Sequence, residues 1–234
     1  MANIIYNKRL TDEYYLIKIE QKNDAKMGQF CMLRAWDNDP LLSRPLSIFD
    51  RDSSSMTFLY KIIGKGTEIM STLKENDEII CYGPYGNNFP NIKGKIAMVG
   101  GGVGIAPLYY AAKELSKDND NIIDIYYSLR GVEILREELT KVSDNLILKT
   151  NQRVVSLVEA DKYDYIFTCG PESLMKDVYK LSKDKKATVY VSLEKRMGCG
   201  MGICYVCTCK TKNGNKLTCK DGPIFLGSEV FTHE

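Results

Sequence analysis

Five of the eight cysteines in this 234-residue chain crowd into the twenty-one positions from Cys199 to Cys219. The other three, Cys31, Cys81 and Cys169, are scattered among apolar or small neighbours. A disulfide scaffold spreads its cysteines through a short secreted chain. Met1 to Arg9 has no apolar core of a signal peptide, so no secretory signal is expected. The crowding therefore reads as a metal site. Within it, Cys199, Cys204 and Cys207 are spaced C-x4-C-x2-C, and Cys219 follows after eleven intervening residues. That is the plant-type spacing of four [2Fe–2S] ligands.

The intervening residues suit such a cluster. Gly198, Gly200 and Gly202 alternate through the first loop, where the backbone must come close and adopt positive φ. Backbone N–H groups must also offset the negative charge on the sulfurs. The alternative is a four-thiolate zinc knuckle, whose spacings are usually paired and short, as in C-x2-C…C-x2-C. Cys209 adds a fifth thiol. Thr208 to Lys212 reads as a strand entering a hairpin with Asn213-Gly214 as its turn, which puts Cys207 and Cys209 on one face. Cys207 is expected as the ligand and Cys209 as a small buried hydrophobe.

Composition removes other chemistries. There is one histidine, His233, next to the last residue and expected in a frayed tail. Ser-His-Asp triads, HExxH zinc sites and Rieske centres are thereby set aside. A net charge of +2 leaves no nucleic-acid footprint, and no apolar run reaches the ~18 residues of a membrane span.

The first ninety residues read as all-β, with apolar stretches such as Tyr14–Ile19 and Met56–Ile63 split by Gly, Pro, Asn and Asp. A small barrel or sandwich is expected, with Gly83-Pro84-Tyr85-Gly86 as a turn near its end. From Gly94 the runs Ile96–Val99, Ile122–Leu129, Tyr163–Cys169 and Ala187–Leu193 alternate with helical segments, including Pro171–Lys183. This predicts a parallel sheet with ligands at the carboxyl ends of its strands. Ile96–Val99 leads into Gly100-Gly101-Gly102-Val103-Gly104 and a Pro107-bearing helix, an order that presents backbone N–H groups to a phosphate. It is neither G-x-G-x-x-G nor a Walker A loop, and a plain tight turn is the alternative. Cys169-Gly170-Pro171 repeats the strand, bend and helix; Cys169 is either a buried strand end or a neighbour of a bound ring. The expected boundaries are a β-barrel unit at 1–92, an α/β unit at 93–190 and a [2Fe–2S] module at 191–234.

Barrel, glycine turn, Cys-Gly-Pro corner and cysteine loop in this order resemble the ferredoxin–NADP reductase superfamily with an appended [2Fe–2S] module. More closely, the chain resembles the electron-transfer subunits of type B dihydroorotate dehydrogenase, over essentially its whole length. Arg44-Pro45-Leu46-Ser47 matches that family's flavin motif. Leu59-Tyr60-Lys61 and Gly66-Thr67 match its FAD-contacting segment, Gly83-Pro84-Tyr85-Gly86-Asn87 its GP-x-GN turn, and Cys219 to Phe225 its closing CKDGP-[VI]-F. The residue chemistry agrees. Arg44 suits a pyrophosphate in a bidentate fork, or else a surface ion pair, and Ser47 suits the flavin edge. Tyr60 suits stacking on a ring, or else the barrel core, and Gly64-Lys65-Gly66-Thr67 suits phosphate, or else a hairpin turn. Two departures stand out: Leu46 occupies a place commonly aromatic, and Leu148–Gln152 lacks an acidic, glycine-bearing stretch.

The resemblance implies FAD, a [2Fe–2S] cluster and NAD as cofactors. Gly102, Gly104, Arg130, Cys169 and Gly170 fall where the superfamily holds its dinucleotide. An arginine at position 130 also suits a 2′-phosphate. The implied role is cytoplasmic electron transfer in pyrimidine biosynthesis. Single electrons leave the FMN of a catalytic subunit that oxidises dihydroorotate to orotate, cross the cluster, and reach FAD, which passes hydride to NAD+. The implied assembly is a heterotetramer with two copies of each subunit, with no nucleic-acid or membrane partner. The chain is too short to hold a TIM barrel of ~250 residues as well. Met201, Ile203 and Tyr205 are candidates for the docking surface, or else for shielding the cluster. Rival readings are a flavin/iron–sulfur subunit of sulfite reductases, hydrogenases or bifurcating transhydrogenases, a self-sufficient reductase, or a zinc-bearing interaction protein.

Overall fold

The structure, a computed structural model, describes residues 1–231, so His233 lies outside the described residues. Strands β1 (Ala2–Arg9), β2 (Tyr14–Glu20), β3 (Phe30–Arg34), β4 (Arg44–Arg51), β5 (Ser55–Lys61) and β6 (Glu78–Tyr85) close into an antiparallel barrel in the order β1-β2-β5-β4-β3-β6. Tyr14, Leu16, Ile17 and Ile19 bury themselves from β2, and Met56, Phe58, Leu59 and Tyr60 from β5. The barrel is not wholly β. Helix α1 (Lys65–Thr72) interrupts it, so the segment read as a possible hairpin turn is a helix start. Thr67 fixes that start, its Oγ1 accepting from the N–H of Ile63 at 3.0 Å and donating to Gly64 O at 2.9 Å. Gly83-Pro84 is likewise no turn but part of β6, through a cis peptide.

Beyond residue 94 the chain builds a six-stranded sheet from β7 (Lys95–Gly101), β8 (Ile122–Leu129), β9 (Asn145–Thr150), β10 (Tyr165–Cys169), β11 (Thr188–Ser192) and a final strand, β14 (Ile224–Leu226). β7 and β10 lie at its centre, which explains why Ile96 to Val99 is apolar without alternation: both faces are covered. Helix α2 (Ile105–Leu115) is buried nearly all round because it is wedged between this sheet and the barrel. Tyr109 stacks on Phe49 of β4 at 4.1 Å between ring centroids, and Tyr110 Oη donates to Ala25 O at 2.7 Å. Helices α3 (Arg136–Thr140) and α4 (Glu172–Ser182) complete the crossovers.

The C-terminal segment carries a hairpin of β12 (Thr208–Thr211) and β13 (Gly214–Leu217), then β14 (Ile224–Leu226) and α5 (Gly227–Val230). Thr211 pairs with Gly214, so the turn residues are Lys212 and Asn213 rather than Asn213-Gly214. Cys207 precedes β12, and it joins a different buried cluster from Cys209, so the two do not share a face as expected. β14 pairs antiparallel with β11. The sheet therefore extends beyond the 93–190 expected for it, and the last segment is woven into it. No helix among the described residues is long and apolar enough to cross a membrane.

Candidate functional site

The barrel opens at one end. β4 and β5 are paired from Ile48↔Phe58 to Arg51↔Met56. Beyond that, Arg44 to Ser47 pair with β3, and Leu59 to Lys61 pair with β2. The two strands thus part where the flavin motif begins, leaving a backbone edge on each side. Leu59 and Tyr60 turn their side chains into the core, and Tyr60 stacks on Tyr15 at 5.5 Å while its hydroxyl donates to Asn7 Oδ1 at 3.1 Å. Tyr60 therefore offers no free ring face, which corrects its expected stacking role; only the β5 backbone edge and Lys61 face the opening.

Arg44 makes no ion pair among the described residues. Its guanidinium lies over the Trp36 ring, 5.1 Å from the centroid, and Nη1 donates to Leu42 O. A Cβ on Gly66 would stand 2.7 Å from both Arg44 Nε and Trp36 Cη2, so only glycine lets α1 start against this clamp. Trp36 Nε1 is buried without a hydrogen-bond partner, an orphaned donor of the kind that a ligand satisfies. A guanidinium without an ion pair, an unpartnered indole N–H and a helix start fit the pyrophosphate end of a dinucleotide. Leu46 is half-buried against the barrel core.

Next to this opening lies a cleft of about 480 Å³ at the carboxyl ends of β7, β8 and β9, lined among others by Tyr14, Lys61, Gly102, Arg130, Arg153 and Asp177. Arg130 and Gly102 thus both line this cleft. Tyr14, Arg153 and Asp177, with Asn151 and Gln152, were missed by sequence reasoning. Asn151 carried a signal, being an Asn able to take positive φ: at φ 58° its Oδ1 accepts from Gly131 N–H at 3.1 Å and fixes the loop after Arg130. Arg153 pairs with Asp177 at 3.0 Å, and Lys61 with Glu13 at 3.0 Å.

Gly104 is not on the cleft. A Cβ there would meet Cys169 C and O at 2.5 Å and Gly170 N at 2.6 Å, and one on Gly170, at φ 138°, would meet Gly101 O at 2.8 Å. The glycine turn and the Cys-Gly-Pro corner are pressed backbone against backbone, so glycine at 104 and 170 is needed for the close approach of the two turns. Cys169 ends β10 between Gly100 and Ser192, and burial pushes its thiol pKa well up.

The cysteine loop closes onto the outer face of the barrel. The four expected ligands come as two pairs. Cys204 Sγ accepts from Cys199 N–H at 3.4 Å, and the Cys207 and Cys219 sulfurs lie 3.2 Å apart. Among the described residues no three His, Cys, Asp or Glu side chains converge on one single-ion point. Cys199 Sγ also accepts from Met201 N–H at 3.4 Å and Ile203 N–H at 3.3 Å. These amides, Met201 first, hold the Cys199 thiol down at about 6, so it is ready as a thiolate ligand. Burial and the adjacent Cys207 push Cys219 up to about 12. Backbone donors aimed at sulfur and paired thiols fit an iron–sulfur cluster. Cys209 packs instead with Val191, Leu193 and Phe225 beside the sheet. Two motifs far apart in sequence latch this segment down: Asn87 Nδ2 donates to Ile224 O at 2.8 Å and Asp221 O at 3.0 Å, and its Oδ1 accepts from Ile224 N–H at 2.9 Å.

With this geometry in view, the chain can be set beside known proteins. Residues 194–231 match the iron–sulfur cluster binding domain of dihydroorotate dehydrogenase B. The dihydroorotate dehydrogenase B (NAD(+)) electron transfer subunit of Clostridium acetobutylicum is 43% identical, covering 100% of this chain and 98% of that protein. The same subunit of Clostridium perfringens is 38% identical over 96% and 94%. Among solved structures, that of the NADH-dependent reduced ferredoxin-NADP oxidoreductase superposes with a TM-score of 0.88 at 28% identity, over 98% of this chain and 89% of that one. The ferredoxin-NADP+ reductase of Plasmodium falciparum shares the fold at a TM-score of 0.67 and 18% identity, over 81% and 94%. Barrel, parallel sheet and cysteine segment, matched along the whole length, place the chain in its family: it belongs to the electron transfer subunits of dihydroorotate dehydrogenase B.

Proposed function

We propose that this electron transfer subunit carries FAD where β4 and β5 part, NAD(H) in the adjoining cleft and a [2Fe–2S] cluster on the cysteine loop. The carrying observation is what adjoins the parted strands: β5 reaches the cleft through Lys61, and β4 pairs with β3, whose Phe30 and Met32 join Cys207 and Cys219 in one buried cluster. When bound, FAD exchanges hydride with NAD(H) and single electrons with the cluster, linking two-electron to one-electron transfer. The chain's own residues bind and orient. Arg44 holds the pyrophosphate from its shelf on Trp36, with Gly66 and Thr67 shaping the helix start beside it. The backbone of Pro45 to Ser47 and of Leu59 to Lys61 borders the ring. Gly102 and Arg130 receive the nicotinamide dinucleotide, while Gly104 and Gly170 keep the two turns close and Cys169 buried. Cys199, Cys204, Cys207 and Cys219 hold iron. Two pairs of thiols suit two irons better than one zinc ion.

The reading extends to a separate catalytic subunit bearing FMN, two copies of each in a cytoplasmic heterotetramer, where thiolates stay reduced. Met201, Ile203, Tyr205 and Val206 are 49, 71, 68 and 57% exposed around the cysteines, an apolar patch suited to that partner. Mixing the chain with an FMN-bearing, dihydroorotate-oxidising protein is expected to give a complex that oxidises NADH when orotate is added. Assembly with a sulfite- or hydrogen-converting enzyme instead would overturn the pyrimidine assignment. Ile203→Glu is expected to weaken the complex roughly 30-fold, as for loss of about 2 kcal/mol at a hot spot, with FAD and iron content unchanged. Undiminished binding in gel filtration and titration calorimetry would move the interface elsewhere.

Trp36 is the sole tryptophan, so its emission reports on the FAD site alone. Adding FAD to the stripped chain is expected to quench it. Arg44→Ala, losing charge-assisted hydrogen bonds worth about 3 kcal/mol, should weaken that titration by roughly 100-fold. A titration unchanged by Arg44→Ala would remove the pyrophosphate from this corner.

A further inference from the structure

The cysteine loop and the flavin-motif strand meet across one side chain. On β3, Phe30 and Met32 pair with Ser47 and Pro45 of β4, and paired residues project from the same face of a sheet. That outer face is covered by the C-terminal segment. Phe30 and Met32 form a buried cluster with Met197, Cys207 and Cys219, and Tyr85 packs against it. Met32 is only 2% exposed. Gly200, at φ +75, lies over it so closely that a Cβ would meet Met32 Cγ at 2.7 Å and Sδ at 3.0 Å. Met32 thus touches the loop between Cys199 and Cys204 on one side and stands opposite Pro45 of the flavin motif on the other.

We propose that Met32 is a positioning residue for electron transfer, filling and setting the gap between the cysteine loop and the flavin strand. The inference rests on the FAD and cluster assignments above. In the step it serves, the reduced flavin gives up one electron and one ferric iron becomes ferrous. No bond forms or breaks at Met32, and its thioether is neither oxidised nor reduced. Methionine suits the place because its unbranched, polarizable chain fills an irregular gap. Electron tunnelling falls off exponentially with separation and is poorer across a void than through packed atoms, and a truncated side chain here leaves a void that the surroundings only partly close.

The test uses the full chain loaded with both groups, mixed anaerobically with excess NADH and followed by stopped-flow absorbance. In Met32→Ala, bleaching of the flavin by NADH is expected at the wild-type rate, while reduction of the cluster slows at least about tenfold. Met32→Leu, which conserves volume, should restore most of the rate. A second readout needs no turnover: in the cofactor-free chain, alkylation of Cys207 and Cys219 should be faster in Met32→Ala than in wild type. Should Met32→Ala not retain its cluster, Met32→Val carries the same expectation with a smaller slowing. Wild type that binds no flavin or no iron would overturn the site assignments themselves. Loaded wild type and variants with equal rates of cluster reduction would overturn the role of Met32 alone.

Discussion

Replacing Cys204 with serine is expected to strip iron and sulfide from the purified chain while leaving its flavin and the reduction of that flavin by NADH in place. Cys204 is exposed, and its sulfur is tied to the loop through Cys199 N–H at 3.4 Å. Its replacement therefore costs little packing, since surface changes of this kind stay within about 0.5 kcal/mol. The chemical loss is large, because a neutral hydroxyl replaces a thiolate ligand. Altering even an outer-shell partner of a metal ligand costs about 10- to 100-fold, so electron flow from a catalytic partner should fall at least about 100-fold. Cys219→Ser is expected to do more damage. Cys219 is buried with Phe30, Met32 and Cys207, and a hydroxyl there also unsettles the seat of the loop on the barrel. Iron and sulfide analysis, the visible spectrum and stopped-flow flavin reduction are the measurements. Wild-type iron in Cys204→Ser would remove Cys204 from the ligand set. Joint loss of flavin and iron would show that barrel and cysteine loop do not load independently.

The independence assumed there was legible in the sequence only in part. Local signals carried well. Ile122–Leu129 is a strand over that very range, and the helix expected over Pro171–Lys183 forms at Glu172–Ser182. Signals that depend on a distant partner did not carry. Nothing near Asn87 says that its side chain will clasp Asp221 and Ile224, and nothing near Ile224 says that it will leave the cysteine segment to extend the sheet. Gly83-Pro84 carries the composition of a turn, yet β3 holds it in a strand through Phe30↔Tyr85 and Met32↔Tyr82. Tyr60 belongs to a flavin-contacting segment by resemblance, while its burial follows from Tyr15 and Asn7 across the barrel. What that segment leaves open is a backbone edge where β4 and β5 part, which side-chain chemistry does not announce.

The glycine turn after β7 shows the same limit and yields the sharpest contrast between two neighbouring positions. Gly104→Ala is expected to unfold the chain more readily and to do little else that is specific. Its Cβ would stand 2.5 Å from the Cys169 carbonyl carbon and oxygen, and these are backbone atoms locked in the ladder with Gly100 and Ser192. Overpacking against backbone costs about 3 kcal/mol, which for a chain of this size lowers Tm by roughly 6–12 °C. Gly102→Ala has space, its Cβ meeting only Tyr14 Oη at 3.6 Å, but it must hold φ +56. A left-handed alanine costs about 1 kcal/mol, so Tm should fall by only a few degrees. Gly102 borders the cleft, however, and its new methyl group should raise the NADH concentration needed for half-maximal flavin reduction several-fold. If phosphate binding were the task of both glycines, both variants would lose NADH affinity and neither would melt early. If close approach of two turns is the task of Gly104 and ligand access that of Gly102, melting and NADH titration will separate them. The separation matters for function because the Gly104 contact holds the Cys169-Gly170-Pro171 corner in place, and Pro171 lines the cleft. A chain that loses it should lose hydride transfer only as the fold itself is lost.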